Sequence, residues 1–231
     1  MLDALTQLLP YVLGLVAAPT GIIATIVLLM ASGGRVKAGA FTVAWAVAVL
    51  VVGLLVALLS AAASTGDTGP AAGTQVDWVA WVQTLLGLLL IVLALRILRR
   101  GLQRPADTEP EPPRWLAAMD GMTVPGAMRL ALVLALLNPK NLAMIVGGGA
   151  VIGSFGLGLT AAAGATAVFA VLGSIGVLAP IVAVALRGGA GDEALRRARA
   201  WLDIHGDSVT MTVLFVFGGV FLAQGLGDLT G

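Results

Sequence analysis

The stretch Leu137-Asn138-Pro139-Lys140-Asn141 sets a lysine, two asparagines and a proline inside an apolar run from about Arg129 to Ile152. Pro139 has no N–H and collides with the preceding turn, so the Ala135 carbonyl loses its helical partner and the helix kinks or breaks there. Backbone freed at mid-membrane is tolerated only where protein buries it or a wet cavity solvates it. A lysine at the centre of a membrane helix costs roughly 2.5–3.5 kcal/mol on insertion scales, so its ammonium needs a partner. Three solutions are open. Carbonyls freed at Pro139 or Pro19 can hold the ammonium, the desolvated side chain can stay neutral, or an anionic substrate can be its counter-ion. In the first case Lys140 is an architectural tie between broken helices. In the third, a phosphate, sulfate or carboxylate group meets a cation at Lys140 and hydrogen-bond donors at Asn138, Asn141 and Thr20. The candidate substrate-binding set is therefore Lys140, Asn138, Asn141, Pro139, Pro19 and Thr20.

The rest of the chain must hold that set at depth. Hydrophobic residues make up 59% of the chain and charged residues 11%, and mean hydropathy is +1.02. No water-soluble domain could cover so much apolar surface, and the chain reads as an all-α integral membrane protein. Cysteine is absent, which removes disulfides, thiol redox relays and thiolate metal sites, and a net charge of +1 does not suggest nucleic acid. Met1-Leu2-Asp3 lacks the basic start of a cleavable signal, so the first apolar run is expected to stay as a span. Six runs are long enough to cross roughly 30 Å of hydrocarbon, near 9–30, 39–61, 78–98, 129–152, 160–186 and 209–228. The basic residues cluster in or beside alternate loops: Arg35 and Lys37; Arg96 to Arg129; Arg187 to Arg199. The positive-inside rule puts those three loops in the cytoplasm and both termini outside.

A shift of 120 residues lays Ala18-Pro19-Thr20-Gly21 on Asn138-Pro139-Lys140-Asn141, and Gly53 on Gly173. Two three-span repeats in sequence must face opposite ways, as in transporters whose sites lie where paired broken helices meet near the midplane. The expected units are a first three-helix repeat over 1–100, a Pro-rich cytoplasmic linker over 101–128 and a second three-helix repeat over 129–231. Within the linker, Arg114 to Met122 could form a short amphipathic turn. A cytoplasmic amphipathic helix is expected at about 192–205, capped by Asp192 and ended by Gly206, with Leu195, Ala198, Trp201 and Leu202 on one side. His205 would sit at its end. Pro180 is expected to kink the fifth span, and Gly147-Gly148-Gly149 to let backbones approach closely or to hinge.

Acidic residues are missing from the six spans apart from Asp228 at the far end of the last. A divalent-cation carrier would need carboxylate, histidine or thiolate ligands at depth, so no metal is expected. Nothing places a serine beside Lys140 for hydrolysis, and there is no phosphate loop. Neither enzyme activity nor a cofactor is expected.

Pro113-Arg114-Trp115-Leu116, Asp120, Pro125 and Leu137-Asn138-Pro139-Lys140-Asn141-Leu142, after a first span with Ala18-Pro19-Thr20, resemble the GAP family of the LysE superfamily. These are glycopeptidolipid- and sulfolipid-addressing membrane proteins of actinobacterial envelopes, and the resemblance runs over essentially the whole chain. It implies a LysE-like fold, six transmembrane helices as two inverted three-helix repeats, in the cell inner membrane. It implies export of complex lipids or glycolipids, the wider superfamily exporting amino acids and small ions; with the charge at Lys140, the expected activity is export of an anionic envelope lipid or glycolipid by alternating access at the Pro19 and Pro139 breaks. The alternatives are a small-solute exporter and a non-transporting scaffold subunit of a lipid-export machine. Implied partners are the lipid, lipid-export or envelope-synthesis proteins and further copies of the chain.

Overall fold

The computed structural model describes residues 2–65, 78–103, 121–187 and 189–230. Among the described residues the chain forms nine helices and no strand: α1 (Leu2–Val16), α2 (Pro19–Met30), α3 (Gly34–Thr65), α4 (Trp78–Gln103), α5 (Val124–Leu136), α6 (Pro139–Ser154), α7 (Leu159–Gly173), α8 (Ile175–Arg187) and α9 (Gly189–Thr230). Prolines open three of them. Pro19 and Pro139 begin α2 and α6, and Pro125 lies in the first turn of α5. The first amides of a helix have no intrahelical acceptor, so a residue without an N–H is cheapest there.

The apolar runs become broken rods. α1 and α2 meet at 47°, α5 and α6 at 72°, and α7 and α8 at 56°. Two unbroken segments, Gly34–Ala62 and Ile204–Gly227, are long and apolar enough to cross a membrane, and each bent pair counted as one span brings the number to five. The expected span 78–98 lies within α4, a single 26-residue helix that is not among those five and carries Arg96, Arg99 and Arg100 near its end. On α3, Val43, Val47, Val51 and Leu55 are exposed while Phe41, Trp45, Ala48 and Val49 are buried. A helix apolar on both faces has a core side and a lipid side.

Three expectations are corrected. The fifth run breaks at Ser174, six residues before Pro180, which lies inside α8. The Ser174 amide is shared between the Ala170 and Val171 carbonyls, both at 3.1 Å. Its hydroxyl also donates to the Ala170 carbonyl, at 2.7 Å, which tightens the turn and ends the helix. The basic helix expected at about 192–205 is not separate: Asp192 does not start it, Gly206 does not end it, and His205 is mid-helix. It is the first third of α9, a continuous 42-residue helix about 63 Å long. A glycine adds only about 1 kcal/mol of cost to a helix interior, and the long apolar stretch that follows from Val209 carries the helix through it. Glu193 bonds Arg196 and Arg197 at 2.8 and 3.0 Å, and the two guanidiniums hold its carboxyl below the usual range. The linker is also shorter than expected, since α4 reaches Gln103 and α5 starts at Val124. Residues 104–120, with most of the amphipathic turn expected from Arg114, lie outside the described residues.

α6 is the centre of the fold, buried on nearly every face. Its glycine triplet packs against the Tyr11 ring of α1, the Phe169 ring of α7 and the Gly53 carbonyl of α3, through Gly147, Gly148 and Gly149 in turn. Beside it α4 and α9 form a seam. Ala80, Gln83, Gly87, Leu90 and Ala94 face Leu214, Gly218, Phe221 and Gly225, in alternating steps of three and four. Small residues at this spacing let two membrane helices approach to backbone contact, where packing replaces the missing hydrophobic drive. A smaller cluster of Ile26, Val184 and Leu195 joins α2, α8 and the start of α9.

Two glycines test these assignments. A Cβ on Gly87 would lie 2.6 Å from the Leu222 amide nitrogen. Gly87→Val is expected to destabilise the protein by about 1–3 kcal/mol or to prevent folding. A Cβ on Gly206 meets nothing within 4 Å. Gly206→Ala is expected to stabilise by about 0.5–1 kcal/mol in unfolding measured in detergent, whereas a glycine-terminated helix there would give a loss.

Candidate functional site

Both breaks at Pro19 and Pro139 expose backbone that a straight helix would satisfy, and one five-residue stretch repairs both. At the second break Asn138 caps α6: its Oδ1 accepts the Lys140 backbone N–H at 3.0 Å. Asn141 reaches back, donating its Nδ2 to the Leu134 carbonyl of α5 at 2.9 Å. Lys140 reaches across. Its Nζ donates to the carbonyls of Gly14 at 2.7 Å and Ala17 at 2.6 Å, at the end of α1. In an unbroken helix those two carbonyls would bond the Ala18 and Gly21 amides.

The direction of that reach follows from helix electrostatics. Lys140 is in the first turn of α6, beside the positive end of its own helix, and the carbonyl end of α1 is the nearest negative pole. The side chain is 4% exposed, and among the described residues no carboxylate pairs with it. An ammonium has three N–H bonds, and the two carbonyls use two. The third has no protein acceptor among the described residues. The next α1 carbonyl, of Val16, packs against Gly176 of α8, where any side chain would collide with it. The ends of α1, α6 and α8 therefore converge at one point.

The other candidate residues divide. Pro19 is buried and Thr20 half-buried at the start of α2, while Pro139 is exposed. Asn141 is fully buried and its Oδ1 has no hydrogen-bond partner. Four further buried groups outside the candidate set have no partner in hydrogen-bond geometry: the Tyr11 hydroxyl, the Thr42 hydroxyl, the Trp45 indole N–H and Gln83 Oε1. Each lies in an apolar run, Tyr11 being the sole tyrosine.

Replacing Lys140 by methionine keeps the stem and leaves two buried carbonyls without donors. Hydrogen bonds between membrane helices average about 0.6 kcal/mol and reach about 1.7, so Lys140→Met is expected to destabilise by about 1–3 kcal/mol. Asn141→Leu, losing one bond, is expected to cost about half as much. Unfolding of each variant by graded SDS addition checks the order.

A family model described as Sap, sulfolipid-1-addressing protein, matches residues 8–227, from α1 to the last turns of α9 and across both proline breaks. Comparisons with curated proteins and with solved structures give no match. By its description the family addresses a lipid, sulfolipid-1. With nearly the full length matched, the chain belongs to the sulfolipid-1-addressing protein family.

Proposed function

We propose that this chain is a multi-pass inner-membrane protein that exports or translocates an anionic envelope lipid or glycolipid by alternating access at the Pro19 and Pro139 breaks. The observation that carries this reading is the buried Lys140 ammonium, held among the described residues by carbonyls of another broken helix. Such carbonyls are exchangeable partners: an anionic headgroup offers the ammonium the same bonds with a formal charge added. In the described state Lys140 ties α6 to α1. A headgroup entering at the break takes the third N–H, then displaces the carbonyls and releases the tie. Asn138, Asn141 and Thr20 supply further hydrogen bonds to it. When the headgroup leaves, the α1 carbonyls recover the ammonium.

Two inverted repeats fit the packing. α1 and α5 end, and α2 and α6 begin, at positions 120 residues apart. Contacts come in answering pairs under the same shift. α3 packs on α5 and α6, answered by α7 on α1 and α8 on α2. α1 packs on α6, answered by α5 on α2, and α4 and α9 pack on each other. A two-fold axis relating the halves accounts for such pairs, and in the proposed arrangement it lies in the membrane plane, with the two halves in opposite orientation.

Mass spectrometry of lipids and metabolites co-purified in mild detergent, wild type beside Lys140→Ala, tests the reading. An anionic lipid or glycolipid is expected with the wild type and at roughly tenfold lower occupancy in the variant, the loss of one charge-assisted bond. Equal retention by both would overturn the role of Lys140. An anionic metabolite in place of lipid would favour the small-solute exporter. Purified chain in vesicles that moves nothing would favour the scaffold.

A further inference from the structure

Three of the half-helices begin around the end of α1. α6 begins at Pro139, with Lys140 on the Gly14 and Ala17 carbonyls. α2 begins at Pro19 and α8 at Ile175, and these two run side by side in the same direction. Val177 packs on Gly21 at their starts, and Val184 meets Ile26 further along. The Val16 carbonyl of α1 lies against Gly176. The last carbonyls of α1 thus face the positive ends of α6 and α8 together.

Capping separates these helices. Thr123 and Asn138 cap α5 and α6 with their side chains. Ala18 has no side chain to cap α2. Ser174 holds the residue position before α8 but turns its hydroxyl back to the Ala170 carbonyl of α7. Among the described residues, the backbone N–H groups of Thr20 and Gly21 in α2, and of Gly176 and Val177 in α8, have no acceptor in hydrogen-bond geometry. Gly21, Gly176 and Val177 are buried. Buried amides without an acceptor are rare, so three at one place need a reason. A side chain from a third element repeats the pattern. Trp45 of α3 is 0% exposed, and its indole N–H, which can only donate, has no partner. The tip of its ring packs against Gly21, in the first turn of α2. Donors without acceptors therefore come from α2, α3, α6 and α8 to the end of α1.

We infer that the start of α8, with Gly21 of α2 and Trp45 of α3, completes an oxyanion seat beside Lys140, and that the end of α1 fills this seat in the described state. A helix N-terminus holds an oxyanion through its free amides and its positive pole. The Gly14 and Ala17 carbonyls stand in for the anion at Lys140, and the Val16 carbonyl stands in at Gly176. An arriving anion takes both places, so one ligand releases α1 from α6 and from α8 together. The inference rests on the proposed entry of an anion at the breaks, and it adds the uncharged groups that receive it. The oxyanion is carried on a lipid headgroup or is free in solution, and the experiment has an arm for each source.

The full chain is placed in phosphatidylcholine nanodiscs. One arm adds phosphatidylglycerol to the bilayer and counts retained lipid by native mass spectrometry. The other adds inorganic phosphate to the buffer, against chloride at equal ionic strength, and reads the thermal unfolding midpoint. Wild type is expected to bind one of the two probes, and which one names the source. Trp45→Phe keeps a ring against Gly21 without the N–H, and is expected to weaken binding about tenfold, as loss of one hydrogen bond to a charged group implies. Ser174→Asp sets a carboxylate at the start of α8 and is expected to weaken binding at least as much, by filling the seat. In wild type labelled with nitrogen-15 tryptophan, one of the five indole N–H signals is expected to move downfield with the bound probe, and that signal to be missing from Trp45→Phe. No moving indole signal overturns the seat, whether or not the variants fold. Wild-type affinity in Trp45→Phe or in Ser174→Asp also overturns it. Binding lost in Lys140→Ala but unchanged in those two leaves the translocation reading standing and removes only this inference. No binding of either probe by the wild type removes both.

Discussion

A cation that lipid cannot solvate has to be solvated by protein, and in this chain two carbonyls of Gly14 and Ala17 do it. Those carbonyls are available only because α1 stops at Val16, and it stops because Pro19 opens a new helix at 47° to it. The lysine is tolerable only because of the break, and the break is tolerable only because of the lysine. Remove either and a polar group is left bare in an apolar interior. The pairing also fixes distance and orientation between α1 and α6, the helix around which the rest of the fold is packed.

The arrangement is not symmetric, although the breaks are. Ala18-Pro19-Thr20-Gly21 supplies no side-chain cap to α2. Asn138-Pro139-Lys140-Asn141 caps its own helix, mends the helix before it and mends the other half's break. All the repair chemistry is in the second half. The first half then depends on the second for its α1 terminus.

Much of this was legible from residue types. Pro19 and Pro139 marked the two breaks, because a missing N–H acts locally whatever the tertiary context. The demand for a partner at Lys140 was legible as well. Which partner it takes was not, since that depends on how α1 and α6 cross. Ser174 was overlooked in favour of Pro180 for a related reason. A serine ends a helix only through the bond its hydroxyl makes to Ala170, and at position 180 the surrounding packing keeps the proline inside α8. Gly206 misled in the opposite direction, its weak breaking tendency being overridden by the long apolar segment that follows it. The α4–α9 seam was readable in retrospect from Ala80, Gly87 and Ala94, which repeat every seven residues.

The continuity of α9 has a mechanical consequence. Its seam with α4 includes Leu214, Gly218, Phe221 and Gly225, while Leu195, with Leu202 beside it, sits in a small cluster with Ile26 and Val184. The rod therefore joins two packed regions about 28 Å apart, the seam at one end and the Leu195 cluster at the other. A tilt of about 5° at the seam would displace Leu195 by about 2.5 Å over that length, enough to move a side chain out of contact. The glycine seam and the contact between α2 and α8 are thus mechanically coupled through one continuous helix.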